Sequence, residues 1–143
     1  RENAAQLPRM QAQPRHRSRE APSVATIEAA AELLDRVEYP VWFHCKSGAD
    51  RAGLMAALYM LLREGADIQT AQRQLSLRFG HFKQGKTGVL DAFLAAYAQA
   101  AAERPDLDFL TWVRTEYRPE VVKQQFHEDR WTSFLVDRVL ARE

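Results

Sequence analysis

Internal disulfide bonding is the first thing this sequence rules out, because its 143 residues include one cysteine, Cys45, and a lone thiol has no partner within the chain. Nothing here requires an oxidising compartment, so a cytoplasmic location is the expectation. Net charge is nearly absent too. Twenty Lys and Arg against nineteen Asp and Glu leave +1, too little for a global field that would gather nucleic acid or an anionic membrane. Long apolar runs are also missing: no stretch reaches the ~20 residues of a bilayer span, so no transmembrane segment is expected, and no secretory leader is expected from residues 1–22. The first residue is Arg1 rather than methionine, which leaves upstream sequence open. What the chain does contain is 46% apolar and 27% charged residues, the balance of one folded domain with a genuine core.

Residues 1–22 are polar, hold Pro8, Pro14 and Pro22, and show no apolar period. They read as a basic N-terminal arm in which Arg15, His16, Arg17 and Arg19 form either a solvated run or a positive rim for an anionic substrate. Residues 23–143 read as a single domain. Ser23 is a good N-cap, and Ile27, Ala30, Ala31, Leu34 and Val37 trace one face of a helix over about 24–38. Pro40 blocks its continuation, and "YPVWFHC" has the aromatic and β-branched content of a short buried strand. "RAGLMAALYMLLRE", residues 51–64, is apolar nearly all round and predicts a buried helix, ended by Gly65. Asp67 caps a further helix through Phe79, closed by Gly80, and Thr87 caps another on "GVLDAFLAAYAQAAAE". Past Pro105, two or three amphipathic helices follow, with Trp112, Tyr117, Phe126, Trp131 and Phe134 assigned to the core. A strand followed at once by a buried helix predicts an α/β fold, with that strand in a central, mostly parallel sheet. The remaining strands then lie in the N-terminal stretch or upstream of Arg1, reduced or missing from this chain.

Two glycine loops compete as anion cradles. "GHFKQGKT", Gly80–Thr87, satisfies the written pattern of a nucleotide-binding P-loop. That pattern has meaning when a buried strand leads into it, and here Ile68, Ala71, Leu75 and Phe79 lead in at helical spacing instead. "HCKSGADR", residues 44–51, has the better context: a strand delivers Cys45 and a helix starts near Arg51. The amides of Lys46, Ser47, Gly48, Ala49, Asp50 and Arg51 can turn inward as a nest for phosphate oxygens at a helix N-terminus. Gly48 permits the dihedral angles of a tight ring, and Gly53 lets the helix pack closely. The same positive field favours thiolate at Cys45, and Arg51 offers a planar fork to two phosphate oxygens.

His44, Cys45, Gly48 and Arg51 resemble the H-C-x-x-G-x-x-R signature of the cysteine-dependent phosphatases, most nearly the bacterial dual-specificity and tyrosine phosphatase-like branch. "FGHFKQGKTGVLDAF" and the terminal "EYRPE" and "LVDRVL" also look like that branch, extending the resemblance over about residues 20–143. It implies a central sheet flanked by helices and hydrolysis of a phosphomonoester through a cysteinyl-phosphate, with no metal and no cofactor. It further implies Cys45 as nucleophile, Arg51 on the phosphate, the amides of residues 46–51 as cradle, and His44 as a support of the loop and of the thiol's ionisation. The substrate would be a phosphorylated protein or a small anionic phosphate ester, such as a phosphoinositide. Lys46, Lys83 and Lys86, with the arginines of residues 15–19, would rim the pocket.

Two positions depart from the pattern. The usual upstream Asp is absent: residues 1–25 hold only Glu2 and Glu20 as acids. Asp50, immediately before Arg51, stands where myotubularin-type and Sac-type phosphatases also carry Asp, and it is the candidate general acid, with Glu20 as the alternative. Ala52 replaces the usual Ser or Thr, whose hydroxyl eases departure of the thiolate. Two other functions remain open from the residues: a phosphate-binding module with little or no turnover, and a rhodanese-like sulfurtransferase.

Overall fold

Helix α1, Val24–Arg36, begins where Ser23 takes an extended conformation and its hydroxyl accepts the Thr26 N–H at 3.1 Å. In the computed structural model, which describes residues 19–46, 48–83 and 85–140, this helix buries Ile27, Ala30 and Leu34. Helix α2, Asp50–Leu62, follows the cysteine loop and packs between α1 and a five-residue helix α3, Ile68–Gln72. Gly53 makes the α2–α3 approach possible. A Cβ there would lie 2.9 Å from the Gln74 carbonyl oxygen and 3.0 Å from Leu75, as its expected role in close packing requires.

Helix α4, Val89–Glu103, is the core element and packs against α3, α5 (Phe109–Thr115) and α6 (Pro119–Leu140). It buries Val89, Leu90, Phe93, Leu94 and Tyr97, each apolar side chain stabilising the fold by roughly 1.5–3 kcal/mol when fully withdrawn from water. Around Phe93 the rings of Phe109, Trp112 and Tyr117 sit with centroids 6.0, 6.0 and 5.0 Å away, within the range for favourable tilted and edge contacts.

Among the described residues the expected parallel sheet is not there. The described residues contain helices and turns and no strand, so the α/β expectation is corrected to a helical architecture. Residues 41–45 are irregular rather than helical, but a strand exists only where a second backbone accepts its hydrogen bonds, and no described segment does so. Trp42 is 89% exposed and Phe43 half-buried, so "YPVWFHC" is not a buried strand.

Three smaller expectations also change. The helix expected from Asp67 to Phe79 stops at Gln72 and is followed by turns and a single 3₁₀ turn, Leu77–Phe79. Thr87 does not cap α4: it lies inside a second 3₁₀ turn, Lys86–Gly88, and Gly88 takes the cap position with no side-chain hydrogen bond. Trp112 and Tyr117 are core residues and Phe126 is half-buried, whereas Trp131 and Phe134 are 66% and 51% exposed. The basic residues Arg15, His16 and Arg17 lie outside the described residues.

Candidate active site

Half-buried Cys45 ends the irregular segment that follows Pro40. The backbone then turns: the Gly48 N–H donates to the Cys45 carbonyl at 3.3 Å, with Gly48 at φ +70°. That left-handed angle is one glycine adopts without strain. Gly48 therefore shapes the loop, and its N–H is engaged by the turn. Ala49 is buried and its carbonyl accepts the Gly53 N–H at 2.8 Å, starting α2. Asp50 and Arg51 occupy the first turn, Asp50 half-buried and Arg51 exposed. Six positions thus separate a half-buried thiol from an exposed guanidinium across a turn that feeds a thirteen-residue helix, whose N-terminus favours negative charge.

Residues 3–72 match the family model of the tyrosine phosphatase family. Over that segment the chain is similar to the cysteine-dependent phosphatases. The match takes in α1, the Cys45–Arg51 loop, α2 and α3, and stops before the second glycine loop; the resemblance read over residues 73–143 lies outside it. No curated protein and no solved structure matches the chain.

Around this phosphatase-like loop the other candidates are placed as follows. Ser47 lies outside the described residues. Lys46 is exposed beside Cys45. His44 is exposed and meets Trp42 edge-on, with ring centroids 6.5 Å apart. Glu20 is exposed on the bend that precedes Ser23. Ala52 is half-buried in the first turn of α2. Lys83 and Lys86 are exposed on the second loop, and that loop is docked on the first: a Cβ at Gly80 would come within 3.6 Å of the Ala49 methyl.

The docking residue is His81, which the sequence reading passed over. It is 1% exposed, with Nδ1 2.8 Å from an Asp50 oxygen and Nε2 2.5 Å from an Asp91 oxygen. Burial is the strongest single influence on its ionisation and opposes the charged form. Hydrogen bonds to Asp91 and Asp50, with their charges, together outweigh it, so the pKa lies above the ordinary value of 6.5. The two carboxylates meet opposite ring nitrogens and so do not converge on one point as metal ligands would. Among the described residues no group of three or more His, Cys, Asp or Glu side chains is arranged to hold a metal ion. In sequence His81 is one polar residue in a polar loop; the signal for it was the acid pair, Asp50 and Asp91, each on the first turn of a helix, which becomes meaningful only once the helices are packed.

Proposed function

We propose that this chain hydrolyses phosphate monoesters through a phosphorylated Cys45. The observation that carries the reading is the Cys45–Gly48–Arg51 loop, turned by Gly48 at φ +70° into the N-terminus of α2, within a segment that matches the tyrosine phosphatase family. The thiolate lone pair of Cys45 attacks phosphorus, an S–P bond forms, and the ester P–O bond breaks. Arg51 binds two phosphate oxygens and offsets the charge that grows on them. Asp50 gives a proton to the departing oxygen. Water then attacks phosphorus, the S–P bond breaks, and a water proton returns to Asp50. The substrate class is a phosphoprotein of dual-specificity or tyrosine type, or a small anionic phosphate ester, with Lys46, Lys83 and Lys86 favouring additional negative charge.

Ala52 makes the reading testable. Without a hydroxyl at the helix start, expulsion of the thiolate is the slower half, since loss of one donor to a developing anion costs about 2.7–4 kcal/mol. An activated aryl phosphate should therefore give a burst near one equivalent of phenol, and acid quenching should trap phosphate on Cys45. Cys45→Ser should abolish burst and turnover while retaining vanadate or phosphate binding, and Arg51→Lys should lose most activity because an ammonium makes no bidentate contact. Turnover in Cys45→Ser above about a tenth of the parent rate would overturn the mechanism. Tight phosphate-ester binding with no turnover in the parent chain would establish the phosphate-binding module instead.

A further inference from the structure

Among the described residues, His81 is the buried polar or charged side chain apart from tyrosines. A buried ring carries a desolvation cost unless both nitrogens are bonded, and both are. Carboxylates only accept, so two carboxylates on one imidazole require both nitrogens to donate, which the imidazolium alone does. The groups that face the ring come from both packed elements: Asp50 from the first turn of α2 and Asp91 from the first turn of α4. On its own loop, Arg78 and Lys83 are exposed. Asp50 is joined to Arg51 in the candidate phosphate loop, and its side chain keeps 21% exposure while one oxygen is held by His81.

We propose that His81 is a positioning residue for the reaction, acting through Asp50: it aims the Asp50 carboxyl and shares with it the proton delivered to the leaving group. This rests on the assignment of Asp50 as general acid above. Asp50 carboxylate with His81 imidazolium, and Asp50 carboxylic acid with neutral His81, are two forms of one pair that holds one exchangeable proton. When the ester P–O bond breaks, the Asp50 carboxylic acid gives that proton to the leaving oxygen, giving an alcohol or phenol. The pair is left as carboxylate and neutral imidazole, with Nε2–H still donated to Asp91. The water that attacks phosphorus in the second half returns one proton to the pair, so each turnover consumes none. Asp91 never meets the substrate; its charge sets how firmly the pair holds its proton.

The test compares an alkyl phosphate with an aryl phosphate of good leaving group, using Asp50→Asn, His81→Gln and Asp91→Asn. Asp50→Asn should lower the single-turnover rate of P–O cleavage strongly for the alkyl ester, within the ~10²–10⁴ range of a lost general acid, and little for the aryl ester. His81→Gln should reproduce that discrimination with a loss of about tenfold or more for the alkyl ester. Asp91→Asn is isosteric and still accepts from Nε2, but removes one negative charge. The alkyl-ester kcat should then lose its alkaline limb at a lower pH, by about one unit. If His81→Gln proves unfolded by circular dichroism, the Asp91→Asn limb decides. Equal loss on both esters in a folded His81→Gln, or an unmoved alkaline limb in Asp91→Asn, overturns the role of His81 and leaves Asp50 standing. No discrimination in Asp50→Asn overturns both.

Discussion

A methyl group on residue 88 would lie 2.1 Å from the Lys83 carbonyl oxygen and 3.1 Å from a ring carbon of Phe126. The nearer obstacle is backbone, so a side chain cannot rotate away to relieve it. Gly88 also sits at φ −59°, where any residue is comfortable, so its requirement is space alone. Gly88→Ala should therefore destabilise the protein by about 1–3 kcal/mol, the usual cost of overpacking, and lower the thermal midpoint by several degrees. Unfolding followed by circular dichroism measures this, and an unchanged midpoint would mean that the second loop shifts freely. Gly48 and Gly65 are the opposite case, with open space around them and φ of +70° and +60°; there the backbone angle sets the requirement. At this scale the cysteine loop was legible, because Cys45, Gly48 and Arg51 act through a spacing along the chain. His81 was not, because its meaning lies in two carboxylates 31 and 10 positions away, joined to it only by packing.

Helices α1, α2 and α4 fell close to where the apolar period placed them, with Ser23 capping α1 as expected and Thr87 not capping α4, since such signals act within a turn or two. Asp67 caps α3 as expected, its side chain accepting the Thr70 N–H at 2.8 Å. What the cap could not reveal was the stop: past Gln72 the backbone goes over to tighter turns, with the Gln74 N–H donating to the Ala71 carbonyl and the Leu75 N–H to the Gln72 carbonyl at 3.1 Å, although the apolar pattern continues through Phe79. The strand failed for a different reason. Side-chain content describes a segment's suitability for a sheet, whereas a strand is a relation between two backbones, and "YPVWFHC" finds no second one among the described residues. Trp131 and Phe134 show the same limit on a helix. Period assigns residues to a face, whereas packing decides what covers that face, and on α6 both residues stay exposed.

At the scale of the whole molecule, the buried His81 links α2 to α4 by a charge that depends on pH. Its pKa is raised in the folded state above 6.5, so the folded chain holds this proton more tightly than the unfolded one. The contribution to stability is complete below about pH 6.5 and is lost as the pH rises through the raised value. Denaturant midpoints should fall on going from mildly acidic to mildly alkaline pH, and the fall should begin earlier in Asp91→Asn; a midpoint that stays level across that window would remove the ion pair from the stability of the domain. A second long-range tie joins the residue before Ser23 to the turn before α6. The buried Tyr117 phenol donates to the Pro22 carbonyl at 2.7 Å, across 95 positions of sequence, holding the start of α1 against the approach to α6. Burial, and after it the charge of Glu120, pushes this phenol above its ordinary ionisation range. In optical terms Tyr117 is a silent chromophore. It adds phenolate absorbance only after Pro22 has let go, so an alkaline pH jump followed in the ultraviolet should show a delayed component that disappears in Tyr117→Phe, its time course reporting the rate at which the start of α1 and the approach to α6 part.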